Sequence, residues 1–309
     1  MPLVMFTGPN AVYNAFRRTL FFARLQNRCL VIPHFYNHIT QSRYPVKRQG
    51  EETFDIGRLR NVINTSTLDE YNTQCNENVT IPQVVIPPLT NTTHLVDKYH
   101  YKVQRFYRNY TFFKDNRMIQ EFQQTTGIHL HNVSFTNHTE ISWFKDSYDS
   151  KCVVYFPGIK SNFGDIEGYT DNEETALTRA PYVKRLADEA VTYLCDGRFA
   201  VVHWRNKSGE GCRPKLCNNN LRHELDNQLD NVGVIVKSIQ SYLKSQKIDC
   251  LYVATPRYSK RIIESLNTMI AHLFSLQDLI SMSENINEYQ SDLYVLSLVE
   301  QELAELTVK

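Results

Sequence analysis

This chain lacks an excess of charge of either sign. Among its 309 residues, 34 Lys and Arg stand against 33 Asp and Glu, a net charge of +1. No global field therefore draws nucleic acid or an anionic membrane toward it. It also lacks long apolar runs: none approaches the ~20 residues that cross a bilayer. Seven cysteines contain no CxxC pair, so a zinc site has little support. G-x-S-x-G, Walker A and H-E-x-x-H patterns are absent, and no G-x-G-x-x-G follows the first apolar run. These gaps argue against serine hydrolases, P-loop NTPases, zinc proteases and dehydrogenases. No internal repeat or low-complexity segment is visible. The start reads without a secretory leader, because Met1-Pro2 runs straight into Leu3-Val4-Met5-Phe6.

What is present is a globular composition, 42% apolar and 22% charged, which excludes a disordered chain. The length suits two domains or one large one. The cysteines are Cys29, Cys75, Cys152, Cys195, Cys212, Cys217 and Cys250. An odd number forbids complete internal pairing, and only Cys212 and Cys217 lie close in sequence. Buried free thiols and one or two disulfides both remain open. N-x-S/T sequons stand at Asn64, Asn78, Asn91, Asn109, Asn132, Asn137 and Asn206. Twenty-five asparagines placed at random would give about three, so the excess leans toward a secretory protein. Set beside the missing leader, it leads us to expect an incomplete N-terminus.

Apolar periodicity then orders the chain. Leu3–Phe6 reads as a buried strand and Thr7-Gly8-Pro9-Asn10 as a turn. Ala11–Gln26 reads as a helix, with Val12, Ala15, Phe16, Leu20 and Ala23 on one face. Cys29–Ile32 is a second strand, closed by Pro33. Such a strand, turn and helix start can seat an anion on backbone N–H groups, though it serves plain packing as well. Short helix starts at Phe54–Ile56 and Leu68–Tyr71 flank a strand near Val62-Ile63. Val84–Ile86 and Cys152–Phe156 read as extended. Beyond them, helices at Pro181–Leu194, Val232–Leu243, Ser259–Leu273 and Leu293–Leu306 alternate with strands at Phe199–His203 and Cys250–Thr255. That alternation predicts a parallel sheet in an α/β fold, with two units joined near residue 178.

The chemistry concentrates at strand ends. Val201-Val202-His203-Trp204-Arg205-Asn206 is an apolar strand that ends in a His and an Arg. In an open α/β sheet, ligands bind at the carboxyl ends of the strands, and the guanidinium fork suits a phosphate. The plainer alternatives are an Arg205 paired with a carboxylate or a helix C-terminus, and a His203 held in the core. Thr255 lies just past the next strand, on the same edge as Arg205 if the strands are parallel. Its hydroxyl suits phosphate or ribose, and capping a helix is the simpler role.

Taken in order, these pieces resemble the GDP-fucose protein O-fucosyltransferase family. The run GPNAVYNAFRRTLFFARLQNRCLVIPHF is similar to the family's Gly-rich loop, first helix and following strand. FDIGRLRNVINTSTLDEY, FAVVHWR with its H-x-R, LYVATP and DLYVLSLVEQE follow in the family's order. The resemblance implies a GT-B-like fold of two Rossmann-like domains facing a cleft. Residues 1–178 would form the acceptor-side domain, with irregular insertions, and residues 179–309 the nucleotide-sugar-binding domain. It implies fucose transfer from GDP-fucose to a Ser or Thr hydroxyl, with inversion, no metal and no cofactor. The setting would be the lumen of the endoplasmic reticulum or Golgi, and the acceptor a protein, such as a small cysteine-rich repeat. Arg205 matches the arginine that binds the diphosphate and stabilises the leaving group. Gly8, Asn10, His203, Thr255 and Glu300 would complete the donor site.

The chain departs from the family pattern at three places. Ala11 takes the place of the donor-loop asparagine, with Asn10 one residue before it. Pro256 replaces the aspartate after LYVAT. Family members also continue past the EQE helix into a strand and a Ser-Ser-Phe-like loop, whereas this chain ends at Lys309. An incomplete C-terminal domain is therefore expected. No catalytic base is legible. The alternatives are a non-catalytic protein of the same fold that binds a glycan or protein partner, and a nucleotide-binding α/β protein unrelated to fucose. The latter would not prefer GDP over UDP.

Overall fold

The computed structural model describes residues 9–36, 46–75, 83–86, 123, 135–137, 152–155, 177–204, 232–255 and 260–307. The chain divides into two units, residues 1–180 and 181–309.

In the first unit, Pro9 opens helix α1 (Pro9–Leu25), where its fixed φ and missing N–H cost nothing. The helix buries Phe16, Thr19, Leu20 and Ala23. Asn27 ends it in the left-handed region, at φ 48°. There Arg28 N–H reaches Ala23 O at 2.8 Å and Asn27 N–H reaches Arg24 O at 3.0 Å, which satisfies the last carbonyls. Strand β1 (Leu30–Ile32) follows, then β2 (Phe35–Tyr36), which pairs antiparallel with β3 (Lys47–Arg48). Two short helices come next, α2 (Gly50–Thr53) and α3 (Ile56–Arg60). Strand β4 (Thr65–Thr67) pairs with β1 in parallel, Leu30 opposite Thr65. The strand thus lies three residues beyond the Val62-Ile63 expected from the sequence. Ile63 is buried instead in the turn that follows α3.

Helix α4 (Leu68–Gln74) starts on a reciprocal cap. Glu70 N–H donates to Thr67 Oγ1 at 3.1 Å, and Thr67 N–H donates to Glu70 Oε2 at 2.7 Å. Strands β5 (Gln83–Ile86), β6 (Phe135–Asn137) and β7 (Val153–Tyr155) form a parallel sheet in the order β6-β5-β7. A Cys75–Cys152 disulfide, with 5.6 Å between Cα atoms, ties the end of α4 to the start of β7.

The core of this unit is aromatic. Phe16 stacks on Phe54 at 5.2 Å, and Phe35 meets both rings edge-on at 5.6 and 5.3 Å. The buried Arg179 guanidinium covers Tyr13 at 4.5 Å and Phe54 at 5.6 Å. Main-chain bonds from Asp55 N–H to Thr178 O and from Ala180 N–H to Thr53 O hold residues 178–180 in place.

The second unit alternates as the sequence predicts, with one correction. It runs α5 (Pro181–Tyr193), β8 (Ala200–His203), α6 (Val232–Gln246), β9 (Cys250–Ala254) and α7 (Lys260–Asn267), then β10 (His272–Ser275). Helices α8 (Leu276–Met282), α9 (Glu284–Asn287) and α10 (Leu293–Glu305) complete it. The segment expected as one helix from Ser259 to Leu273 stops at Asn267. Met269 and Ile270 N–H groups fold back on Leu266 O, and His272–Ser275 becomes a strand.

The three strands are parallel in the order β10-β9-β8. Leu251 and Val253 of β9 share a core with Val232, Val236 and Leu243 of α6 and with Ile262 and Leu266 of α7. Tyr252 points the other way, toward α10, which packs along α5. Helices thus cover both faces of a parallel sheet. A second disulfide, Cys195–Cys250, joins the turn after α5 to the first residue of β9. The free-thiol reading therefore fails for four of the cysteines. Cys29 is free and exposed, and Cys212 and Cys217 lie outside the described residues.

Phe54→Ala would empty the centre of the ring cluster and leave Arg179 without one of its two faces. Its unfolding free energy in urea should fall by about 3–5 kcal/mol, as for other buried phenylalanines.

Candidate functional site

Parallel pairing places the carboxyl ends of β8, β9 and β10 on one edge. His203 pairs with Ala254, and Trp204 N–H extends the ladder to Ala254 O at 2.8 Å. His203 is exposed at this edge, and Thr255 is half-buried directly beyond β9. Arg205 follows Trp204 and lies outside the described residues, as does Gly8. Asn10 is the second residue of α1, so its N–H is among the four at that end without an intrahelical acceptor. Gly8 and Asn10 belong to the first unit, and His203, Arg205, Thr255 and Glu300 to the second.

Two polar residues on the second unit's edge escaped the sequence reading. Ser275 ends β10 and caps α8, donating through both N–H and Oγ to Asp278 Oδ2 at 2.7 Å. The signal was there, since S-x-x-D before an apolar run marks a helix start. It was hidden because a helix was read up to Leu273.

Glu300 sits behind the edge rather than on it. Its Oε1 accepts a hydrogen bond from Tyr252 Oη at 2.9 Å. Tyr252 is fully buried in the middle strand, two residues or about 7 Å before Ala254. Burial pushes the Glu300 carboxyl up to about 7, and the Tyr252 hydroxyl holds part of that rise back. Tyr252 itself is held well above the usual phenol range, first by burial and then by the charge of Glu300.

The acid is delivered by α10. Asp292 caps that helix, its Oδ1 accepting from Tyr294 and Val295 N–H at 3.2 and 3.3 Å. Tyr294, Val295, Leu296, Leu298, Val299 and Leu303 are buried along it, which fixes the rotation that turns Glu300 to Tyr252. The DLY and EQ parts of the motif are therefore a cap and a half-buried acid eight residues apart.

Among the described residues, no group of three His, Cys, Asp or Glu side chains is placed to hold a metal ion. No helix among them is long and apolar enough to cross a membrane.

A family model for GDP-fucose protein O-fucosyltransferases matches residues 6–299. The chain belongs to that family. No curated protein matches it by sequence. Among solved structures it is similar to POFUT1 in complex with GDP, at 12% identity and a TM-score of 0.54, covering 98% of this chain and 95% of that one. A structure of POFUT1 in complex with GDP-fucose matches at 12% identity and a TM-score of 0.52, over 98% and 92% of the two chains. At such identity the likeness is one of fold. Within this family member, the strands of FAVVHWR and LYVATP are the paired β8 and β9.

The half-buried acid makes stability depend on pH. Glu300 keeps its proton in the folded state up to about 7 but loses it near 4.5 when unfolded. The stability that Glu300 contributes is therefore full below about 4.5 and is lost as pH rises through about 7. Because Glu300 is partly exposed, the loss should be about 1–2 kcal/mol. Between pH 4.5 and about 7, denaturation midpoints of the native chain should fall relative to those of Glu300→Gln by that amount.

Proposed function

We propose that this chain transfers fucose from GDP-fucose to a Ser or Thr hydroxyl of a protein acceptor, inverting the anomeric carbon and using no metal. The observation that carries the reading is the parallel register of β8 with β9, which brings His203 and Thr255 to one ligand-binding edge. Arg205 stands two residues past His203 in the sequence. Membership of the family and a fold shared with proteins solved in complex with GDP and GDP-fucose support the same choice.

In this proposal the fold is GT-B-like. Residues 1–178 face the acceptor, residues 179–309 hold most of the nucleotide sugar, and the donor lies in a cleft between them. As the fucosyl bond breaks, positive charge grows on the sugar and negative charge on the departing diphosphate. A fixed guanidinium at Arg205 gains more from the transition state than from the bound donor. It takes the part that a divalent ion plays elsewhere. Gly8 and Asn10 contribute from the first unit. His203 and Thr255 contact the nucleotide, and Glu300 supports that wall from behind through Tyr252. The acceptor is a protein, with a small cysteine-rich repeat as the best candidate. The setting is the lumen of the secretory pathway, in keeping with the disulfides of both units, since such bonds persist in oxidising compartments.

Ala11 and Pro256 favour a second reading, in which the chain keeps the fold and binds a glycan or partner without turnover. Both stand where the family pattern carries a polar side chain.

Calorimetric titration with GDP, using UDP as the control, tests the donor site. Saturable binding of GDP but not UDP is expected. Arg205→Ala should weaken it by about 100-fold or more, the size of lost charge-assisted bonds to phosphate. Unchanged GDP affinity in a folded Arg205→Ala protein would sink the assignment. GDP binding without fucose release to any protein acceptor would favour the second reading.

A further inference from the structure

Of the seven sequons, Asn64-Thr65-Ser66 is the one whose side chains the structure describes throughout. Asn137 lies in β6, and its side chain is not described. Asn78, Asn91, Asn109, Asn132 and Asn206 fall outside the described residues.

Asn64 is exposed in the turn that leads into β4. Its main chain serves the fold: the carbonyl accepts from Leu30 N–H at 2.8 Å, the bond that starts the β1–β4 ladder. The side-chain amide stands in solvent with room for a bulky substituent. It lies at the amino end of a parallel strand pair. Ligands of such sheets bind at the carboxyl ends, so a substituent here stands clear of that edge.

The sequon hydroxyl is differently placed. The single proton of Ser66 Oγ is shared between Glu70 Oε2 at 3.0 Å and Thr67 O at 3.2 Å. Glu70 is itself held by the cap of α4, and its carboxyl is pulled below the usual carboxylate range by those same hydrogen bonds. Thr65 Oγ1 accepts from Arg60 Nε at 3.3 Å. In the folded chain, then, the amide is open while the hydroxyl that a glycan transferase must engage is committed to the capping network.

We propose that Asn64 is an N-glycosylation site, modified before the turn into β4 and α4 closes. The donor is a lipid-linked oligosaccharide diphosphate. The Asn64 amide nitrogen bonds to the anomeric carbon of the first sugar, the bond from that carbon to the diphosphate oxygen breaks, and the amide gives up one proton. The lipid diphosphate leaves with the electron pair. The inference rests on the lumenal setting proposed above and not on the fucose-transfer reaction.

The test is to express the full chain behind a cleavable secretory leader in animal cells. Chains whose leader has been removed are treated with peptide N-glycosidase in 18O water and mapped by mass spectrometry. Position 64 should be found as 18O-labelled Asp in most molecules. Ser66→Ala and Asn64→Gln should each lose this label, and Thr65→Ala should keep it. Unmodified Asn64 in leader-cleaved chains would overturn the site, whatever the GDP titration shows. A second arm offers purified oligosaccharyltransferase either a peptide covering residues 58–72 or the folded, unglycosylated chain. The peptide should be modified at Asn64 and the folded chain should not. Equal modification of both would overturn the proposed timing.

Discussion

Burial of β9 on both faces is the constraint on which the second unit depends. All five of its residues are buried, and a strand with no solvent face needs helices on either side and strands on both edges. Leu251 and Val253 meet α6 and α7, while Tyr252 meets α10. The β8 and β10 ladders satisfy its main chain on both edges. Once those demands are met, the positions of His203, Thr255 and Ser275 follow. Each is the place where a parallel strand runs out. The Cys195–Cys250 bond fastens the other end of β9 to the turn after α5. That turn carries three successive residues with positive φ: Cys195 at 49°, Asp196 at 55° and Gly197 at 81°. Only the glycine takes this region without strain, so the tertiary contacts around the turn hold the other two there.

A tyrosine inside such a strand needs a partner for its hydroxyl, because an unbonded buried hydroxyl costs about 1–3 kcal/mol. Glu300 is that partner, and the pairing burdens the acid in turn. The carboxyl loses hydration and holds its proton far longer than it would in water. One hydrogen bond therefore links the hydrophobic demand of the sheet to a titration near neutrality. It also explains why α10 needs the Asp292 cap and a nearly continuous apolar stripe. Both are required to bring residue 300 to Tyr252.

Much of this was legible in the sequence. Helices α5, α6 and α10 were readable because apolar residues recur at helical spacing for three or more turns. Strands β8 and β9 were readable as uninterrupted apolar runs, and their alternation with helices gave the parallel sheet. Strand β10 was not readable. His272-Leu273-Phe274-Ser275 is only four residues long and follows Ile262, Ile263, Leu266 and Ile270, which already carry a helical period. The local signal that separates them is a turn without glycine or proline, closed by bonds back to Leu266 O. In the first unit, β4 is Thr-Ser-Thr, with no apolar residue to announce it. It exists because β1 supplies a partner. The disulfides were illegible for a related reason, since Cys75 and Cys152 are 77 residues apart and only the packing of α4 near β7 brings them together. The pairing of Tyr252 with Glu300 spans two elements, so residue spacing within either one says nothing of it.

The distribution of departures from the family pattern has its own logic. Ala11 lies in the first turn of α1, and Pro256 follows Thr255 in the sequence and lies outside the described residues. The main chain of His203 is set by the strand ladder, and Glu300 is set by the packing of α10. Loop and terminal positions change with little structural penalty, whereas ladder positions do not. In the proposed reaction, the same division separates two tasks. Charge at the diphosphate has to be met by a group whose position is fixed before the bond breaks, because an anchor that must be ordered during the reaction spends its interaction on ordering. Contacts to the base, the ribose or the acceptor tolerate substitution, because they contribute to binding uniformly before and during the reaction. A chain that keeps Arg205 while carrying Ala11 and Pro256 is therefore expected to change how it holds its donor more than whether it can stabilise the leaving group.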